Sequence, residues 1–303
     1  MTEQKALASS QAQNAQRFKE ARIFLKLVVR NPLSLIGLAI IVVFLVLGII
    51  GPYVAPYPLQ AQGAPDLVHQ LLPPSWQFPF GTDEFGRDIF SRVIFGARIS
   101  LLTSAAIVGS ALIIGVPLGA VAGYYGEKIG SIIMRITDMF LAFPPLLLAL
   151  AVAATLGGSI INAVLALIVT WWPWYTRLAY SQALATKNLP YVDAARAIGV
   201  GDPVIVVRHI MPATLAPILV QATLDLGSAI LSVAALSFLG LGAQPPTPDW
   251  GLMVNMGRVF FLQYWWYATF PGLAIMVLVL GFNLFGDAIR EAIDPKLSRR
   301  RLI

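Results

Sequence analysis

The 303-residue sequence contains no cysteine. That excludes disulfides, iron–sulfur clusters, thiolate zinc sites and cysteine nucleophiles together. Histidine is almost as scarce. His69 and His209 stand 140 positions apart, so no HExxH-type metal motif is present. No GxxxxGK[ST] string occurs, and with it goes the usual phosphate loop for ATP. Charge is the most telling shortage. Charged residues make up 12% of the chain and apolar residues 57%, against roughly 25% charged in a soluble domain. Twenty-one basic and 15 acidic side chains cannot cover the water-facing surface of the two soluble domains that length alone suggests. The composition is that of an integral membrane protein.

The apolar segments are well separated. Residues 1–30 form a basic, polar tail, and residues 1–20 carry no assignable role. Asn31 and Pro32 suit a helix N-cap and first turn. The 18 uncharged residues Leu33–Ile50 then nearly cross a hydrocarbon core of about 30 Å, giving a first span over 31–52. The long n-region and the lack of an A-x-A site argue against a cleaved signal peptide. Residues 53–96, rich in Pro and Gly, read as a loop in water. The remaining core, 97–290, holds five further spans, near 99–126, 131–155, 160–180, 212–239 and 263–287. Gly157-Gly158-Ser159 divides a charge-free run too long for one helix. A polar segment at 188–212 and a loop at 240–262 interrupt the core, and 291–303 forms a C-terminal tail.

Basic residues orient the chain. Seventeen fall in the N-terminal tail, the 127–135 turn, the 177–211 segment and the C-terminal region; only Arg87, Arg92, Arg98 and Arg258 fall in the other two loops. The positive-inside rule puts both termini in the cytoplasm. Aromatic clusters at 260–270 and at Trp171, Trp172, Trp174 and Tyr175 suit the two interfaces.

The cytoplasmic segment is the most informative. Pro190 can open a helix, Asp193 lies in its first turn, and Ala194 and Ala195 permit close approach of another surface. Gly199 suits a left-handed C′ position, and Asp202 and Pro203 can start a second short helix. Composition alone makes this an ordinary pair of loop helices. The string itself, Asp193-Ala194-Ala195, Gly199 and Ile210-Met211-Pro212, resembles the E-A-A-x3-G…I-x-L-P loop of ABC importer permeases, with Asp193 in place of Glu and Met211 in place of Leu. Two further strings, Phe80–Asp88 with Gly96–Leu101 and Leu236–Gly251, look like the second permease of dipeptide and oligopeptide importers. Asn31-Pro32-Leu33, residues 141–144 and Asp294-Pro295 agree, so the resemblance runs from about residue 30 to 297.

That resemblance implies an all-α polytopic membrane protein: six transmembrane helices with a cytoplasmic coupling-helix loop in a prokaryotic inner membrane. It implies a second homologous permease, two ATPase subunits holding ATP and Mg, and an extracytoplasmic peptide-binding protein, all surrounded by lipid. This chain itself would hold no cofactor or metal, catalyse no covalent chemistry and bind no nucleic acid. Asp193, Ala194, Ala195, Gly199, Ile210 and Pro212 would form the coupling loop to the ATPases. Nickel chelates and glutathione remain alternative cargoes, since their importers share these strings.

Within the spans, Asp225 is the one deep carboxylate. An isolated charge there costs about 2.5–3.5 kcal/mol on insertion scales, so it should face a wet cavity or an interhelical partner. Gln221 and Ser228 lie one turn away on the same face, and the three form a candidate translocation path. A secondary transporter would need more such groups, and an intramembrane hydrolase would need a Ser–His or paired-Asp site. Asp138 is expected to pair with Arg135 at helix spacing. Pro144-Pro145 should kink the third span, and Gly109, Gly115, Gly119 and Gly123 should allow close helix packing. Asp83, Glu84 and Asp88 read as a solvated, capped loop, with His69 exposed beside it.

Overall fold

The computed structural model describes residues 31–293. The basic tail 1–30, Asp294-Pro295 and Arg299–Arg301 lie outside the described residues. Among those described there is no β-strand, only one isolated bridge between Thr82 and Asp88. Nine helices of eight residues or more follow one another: α1 Pro32–Val54, α2 Ile89–Tyr125, α3 Glu127–Leu141, α4 Pro145–Leu156, α5 Ile160–Thr186, α6 Pro190–Ala197, α7 Met211–Phe238, α8 Trp250–Arg258 and α9 Trp266–Ile293.

Four segments are long and apolar enough to cross a membrane: α1, α2, Pro217–Phe238 within α7 and Trp266–Ala292 within α9. A fifth arises if the bent pair α3–α4 counts as one span. The remaining expected span, 160–180, corresponds to α5, where Trp171, Trp172, Pro173 and Arg177 dilute the hydropathy of its 27 residues. The α3–α4 break is sharper than a kink, at 84°. Pro144 adopts an extended conformation and lacks an N–H, and Pro145 begins α4 afresh.

Helix ends follow local chemistry. Asn31 caps α1 by accepting from the Leu33 amide, and Ser159 caps α5 by accepting from Asn162. The Asn162 side chain in turn donates to the carbonyls of Leu156 and Gly157, satisfying the end of α4. α2 starts well before the expected span, at the Asp88 cap, and its 37 residues extend about 55 Å.

Small residues set the closest approaches. A Cβ on Gly115, Gly119 or Gly123 would lie 2.3–2.6 Å from Trp172 O, Thr176 O or the Ala183 side chain, so α2 and α5 pack backbone to backbone. Gly109 faces open space and plays no such part. The buried positions of α1 (Ser34, Gly37, Ile41, Gly48 and Gly51) form one seam, with Gly37 pressed against the Gly281 carbonyl of α9. One core joins α2, α4, α5 and α7 through Ile107, Ala149, Leu167, Tyr175 and Ile218. A second joins α1, α2, α8 and α9 through Ile41, Ile89, Trp250, Tyr267 and Leu278. The aromatic residues thus divide: Tyr175, Trp266 and Tyr267 are core, whereas Trp174, Phe261 and Trp265 are exposed.

Candidate functional site

α6 stands on the segment between α5 and α7. Pro190 occupies its first turn, and Asp193 pairs with Arg196 one turn on, at 2.9 Å. Both side chains of that pair are largely in solvent, so it contributes little stability. Val192 and Ala195 face inward. They pack with Ala120, Tyr124, Ala183 and Ile205 in a third apolar cluster. This corrects the reading of Ala195 as an outward surface: it is 7% exposed, against 81% for Ile198. The free face of α6 consists of Tyr191, Asp193, Ala194, Ala197 and Ile198.

Gly199 ends α6 with φ +83° and nothing within 4 Å of an added Cβ. The position demands glycine by backbone conformation alone. The next turn, Asp202–Ile205, is capped by Gly201 and not by Asp202. It does not stop before α7. A π turn over Val206–Ile210 joins them, with Met211 N–H donating to Val206 O. Pro212 has no N–H to give to the preceding turn, and the wider turn absorbs that loss. Ile210 is fully buried at this junction and Pro212 is exposed.

Tyr124, at the end of α2, was not legible as part of this site. Its hydroxyl donates to Asp202 Oδ1 at 2.6 Å and accepts from Arg196 Nε at 3.4 Å. The Arg196 guanidinium also lies 5.2 Å from the Tyr124 ring centre.

In the membrane-spanning part, Asp225 Oδ2 accepts from the Tyr175 hydroxyl at 2.7 Å, and Oδ1 accepts from Gln221 Nε2 at 2.9 Å. Asp225 therefore links α5 and α7. Ser228 is exposed one turn further along and takes no part in the link; its carbonyl accepts from Ser232. Asp138 pairs with Arg177 of α5, not with Arg135.

Asp83, Arg87, Asp88 and Arg92 of the 81–92 segment are buried, where sequence suggested a solvated motif. Asp83 accepts from the Phe85 and Arg87 amides and from Arg87 Nε at 2.7 Å, with Arg92 Nε 3.6 Å away. Arg92 donates to the carbonyl of Pro246, and Trp250 Nε1 to that of Val93 at 3.0 Å. His69 is held by Asp66 at 2.8 Å. Burial raises the carboxyl pKa of Asp88, despite its bonds from Ser91, and that of Asp249, which caps α8. Among the described residues no group of three or more His, Asp or Glu is placed to hold a metal ion.

Residues 115–299 match the family described as binding-protein-dependent transport system inner membrane component. The chain belongs to this family. Residues 21–74 also match the N-terminal TM domain of oligopeptide transport permease C. The probable D,D-dipeptide transport system permease DdpC of Escherichia coli K12 is 45% identical over 271 residues, covering 89% of this chain and 90% of that protein. The dipeptide transport system permease DppC of Alkalihalophilus pseudofirmus is 45% identical over 269 residues, 89% and 88% of the two chains. A solved inward-facing structure of the MetNI methionine ABC transporter shares the fold at TM-score 0.55 and 18% identity, over 68% of this chain and 98% of that one.

Proposed function

We propose that this chain is one permease subunit of an ATP-driven importer that carries short peptides across the cytoplasmic membrane by alternating access. The observation that carries the reading is α6: a stiff helix seated on the transmembrane body by Val192 and Ala195, with its opposite face free. Such an element transmits force from a separate subunit. The names of the dipeptide permeases it resembles support peptides as cargo. Two ATPase subunits holding ATP and Mg dock beneath the free face, a second permease completes the pathway, and an extracytoplasmic binding protein delivers cargo. Both termini and α6 lie in the cytoplasm, as the basic residues favour. The α7 face bearing Gln221 and Ser228 lines the path, and Asp225 holds that helix to α5.

The test is affinity purification from native membranes with identification of bound subunits, beside uptake of labelled dipeptide. An ATPase and a second permease should co-purify. A chain that purifies alone and drives uptake from an ion gradient would make it a secondary transporter and end this reading. Single cysteines at Gln62 and Gln244 should react with an impermeant reagent in intact cells and one at Ile198 should not; labelling at Ile198 would reverse the orientation.

A further inference from the structure

We infer that Tyr124 is a positioning residue that fastens both halves of the 190–210 segment to α2, so that movement of this segment is delivered along α2 to the loop at 244–250. The inference rests on the importer reading above and names the connection that reading requires.

The lower end of the connection is the phenol. Arg196 belongs to α6, and Asp202 belongs to the turn beyond the Gly199 hinge. One hydroxyl bonds both, accepting from the first and donating to the second. Asp202 is the first residue of a short helical turn whose N-cap is Gly201. The Asp202 carboxylate goes to Tyr124. The two pieces share an apolar cluster through Val192, Ala195, Ile205 and Val206, and the phenol adds a directional polar link across the Gly199 hinge. Tyr124 is 8% exposed, and Ala120, Ala183, Val192, Ile205 and Ile210 cluster with it.

The upper end is a second fastening. Arg92 and the Val93 carbonyl, near the start of α2, bond Pro246 and Trp250 respectively. Between Val93 and Tyr124 the chain is one helix, about 46 Å long at 1.5 Å per residue. Gly115, Gly119 and Gly123 press its inner half against α5. Pro117 interrupts the hydrogen-bond ladder of this helix, but the flanking Gly115 and Gly119 contacts splint that turn against α5, so a helix held at both ends moves both ends together.

A packing role alone would need only the ring. Phe at 124 keeps the ring and its contacts and opens no cavity, so it separates the two roles. The complex should be reconstituted in lipid vesicles with Tyr124→Phe, Asp202→Ala or Asp202→Asn. Membrane abundance, ATPase co-purification and ATP hydrolysed per dipeptide imported are measured together. A spin-label pair at Tyr125 and Ala197 reports the distance between α2 and α6. Tyr124→Phe and Asp202→Ala should keep abundance and co-purification. They should raise ATP consumed per dipeptide about tenfold, as loss of a hydrogen bond to a charged group predicts, and broaden the distance distribution. Asp202→Asn keeps an acceptor oxygen and should stay close to the parent. A Tyr124→Phe complex with the parental ratio and a narrow distance would show that Tyr124 only packs, leaving the importer reading intact. A parent complex that binds no ATPase would overturn the importer reading and this inference with it.

Discussion

Asp225 offers a quantitative test of whether a buried carboxylate serves the bundle or the cargo. Tyr175→Phe removes one of its two donors. Asp225→Leu removes the acceptor and strands the Tyr175 hydroxyl, which lies in the fully buried core. Either single change leaves a polar group without its partner, whereas the double change leaves neither, so the effects should not add. In water-soluble interiors a hydrogen bond to a charged group is worth about 1.5–3 kcal/mol. Interhelical bonds in membranes average nearer 0.6 kcal/mol, with a maximum of about 1.7, because helices separated in lipid find other partners. The membrane figure governs here. The carboxyl acceptor and the fully buried donor push it to the upper part of that range, so the coupling energy should be about 1–1.5 kcal/mol. It can be read from denaturation of the complex in mixed micelles, followed by fluorescence of the chain's seven tryptophans. Additivity within about 0.3 kcal/mol would refute the clamp. Asp225→Asn keeps size and hydrogen bonding, so stability should hold. If uptake nevertheless collapses, the charge itself is felt by cargo or gating.

Other expectations concern the loops. Gly199→Ala meets no atom yet keeps φ positive, so it should cost about 1–2 kcal/mol locally; partial proteolysis of the 190–210 segment should quicken while membrane abundance stays normal. Ala195→Trp should unseat α6 from its inner cluster, whereas Ala194→Trp should leave α6 seated and block only ATPase co-purification; accessibility of a cysteine at Val192 separates the two, and equal accessibility in both variants would contradict the burial described here. Asp249 predicts a pH effect of definite sign. Burial raises its folded pKa above the unfolded value, so its contribution is present below the ordinary carboxylate range and lost as pH rises through the raised value. Asp249→Asn keeps the cap and should gain thermal stability relative to the parent as pH increases from about 4 to 8; a difference independent of pH would refute this.

Much of the architecture was legible because apolar run length and capping chemistry are local. Asn31 caps the first span as its place before Pro32 suggested, and the hinge at Gly199 has the left-handed φ that its place after an alanine-rich turn suggested. The caps at Asp88 and Ser159 were not expected, and Asp88 starts its helix ten residues ahead of the expected span. The 84° turn at Pro144 was not legible in size, since proline removes a hydrogen bond without saying where the next helix packs. Nor was the inward aspect of Ala195. An eight-residue helix with three alanines has no long apolar stripe, and its rotation is decided by Ala120 and Ala183 from other helices. The two polar links, Tyr124 to Asp202 and Tyr175 to Asp225, span 78 and 50 positions. No local pattern encodes such pairs. Asp225 could be flagged as needing a partner, but only the packing of α5 on α7 says which one.

The contact of Gly37 with Gly281 bears on how the protein is made. These residues are 244 positions apart, so at about 5–20 residues per second α1 leaves the ribosome some 10–50 s before its partner helix exists. During that interval its Gly48–Gly51 end has α2 against it, while the Ser34–Gly37 end waits in lipid. Its composition suits that wait: mean hydropathy reaches 3.2 over its most apolar window, and no charged side chain interrupts Pro32–Val54. Because its seam consists mainly of glycine and serine, nothing polar enough to recruit a wrong helix is displayed early. Arrival of α9 then completes the seam of α1, so a helix made late finishes the packing of one made early.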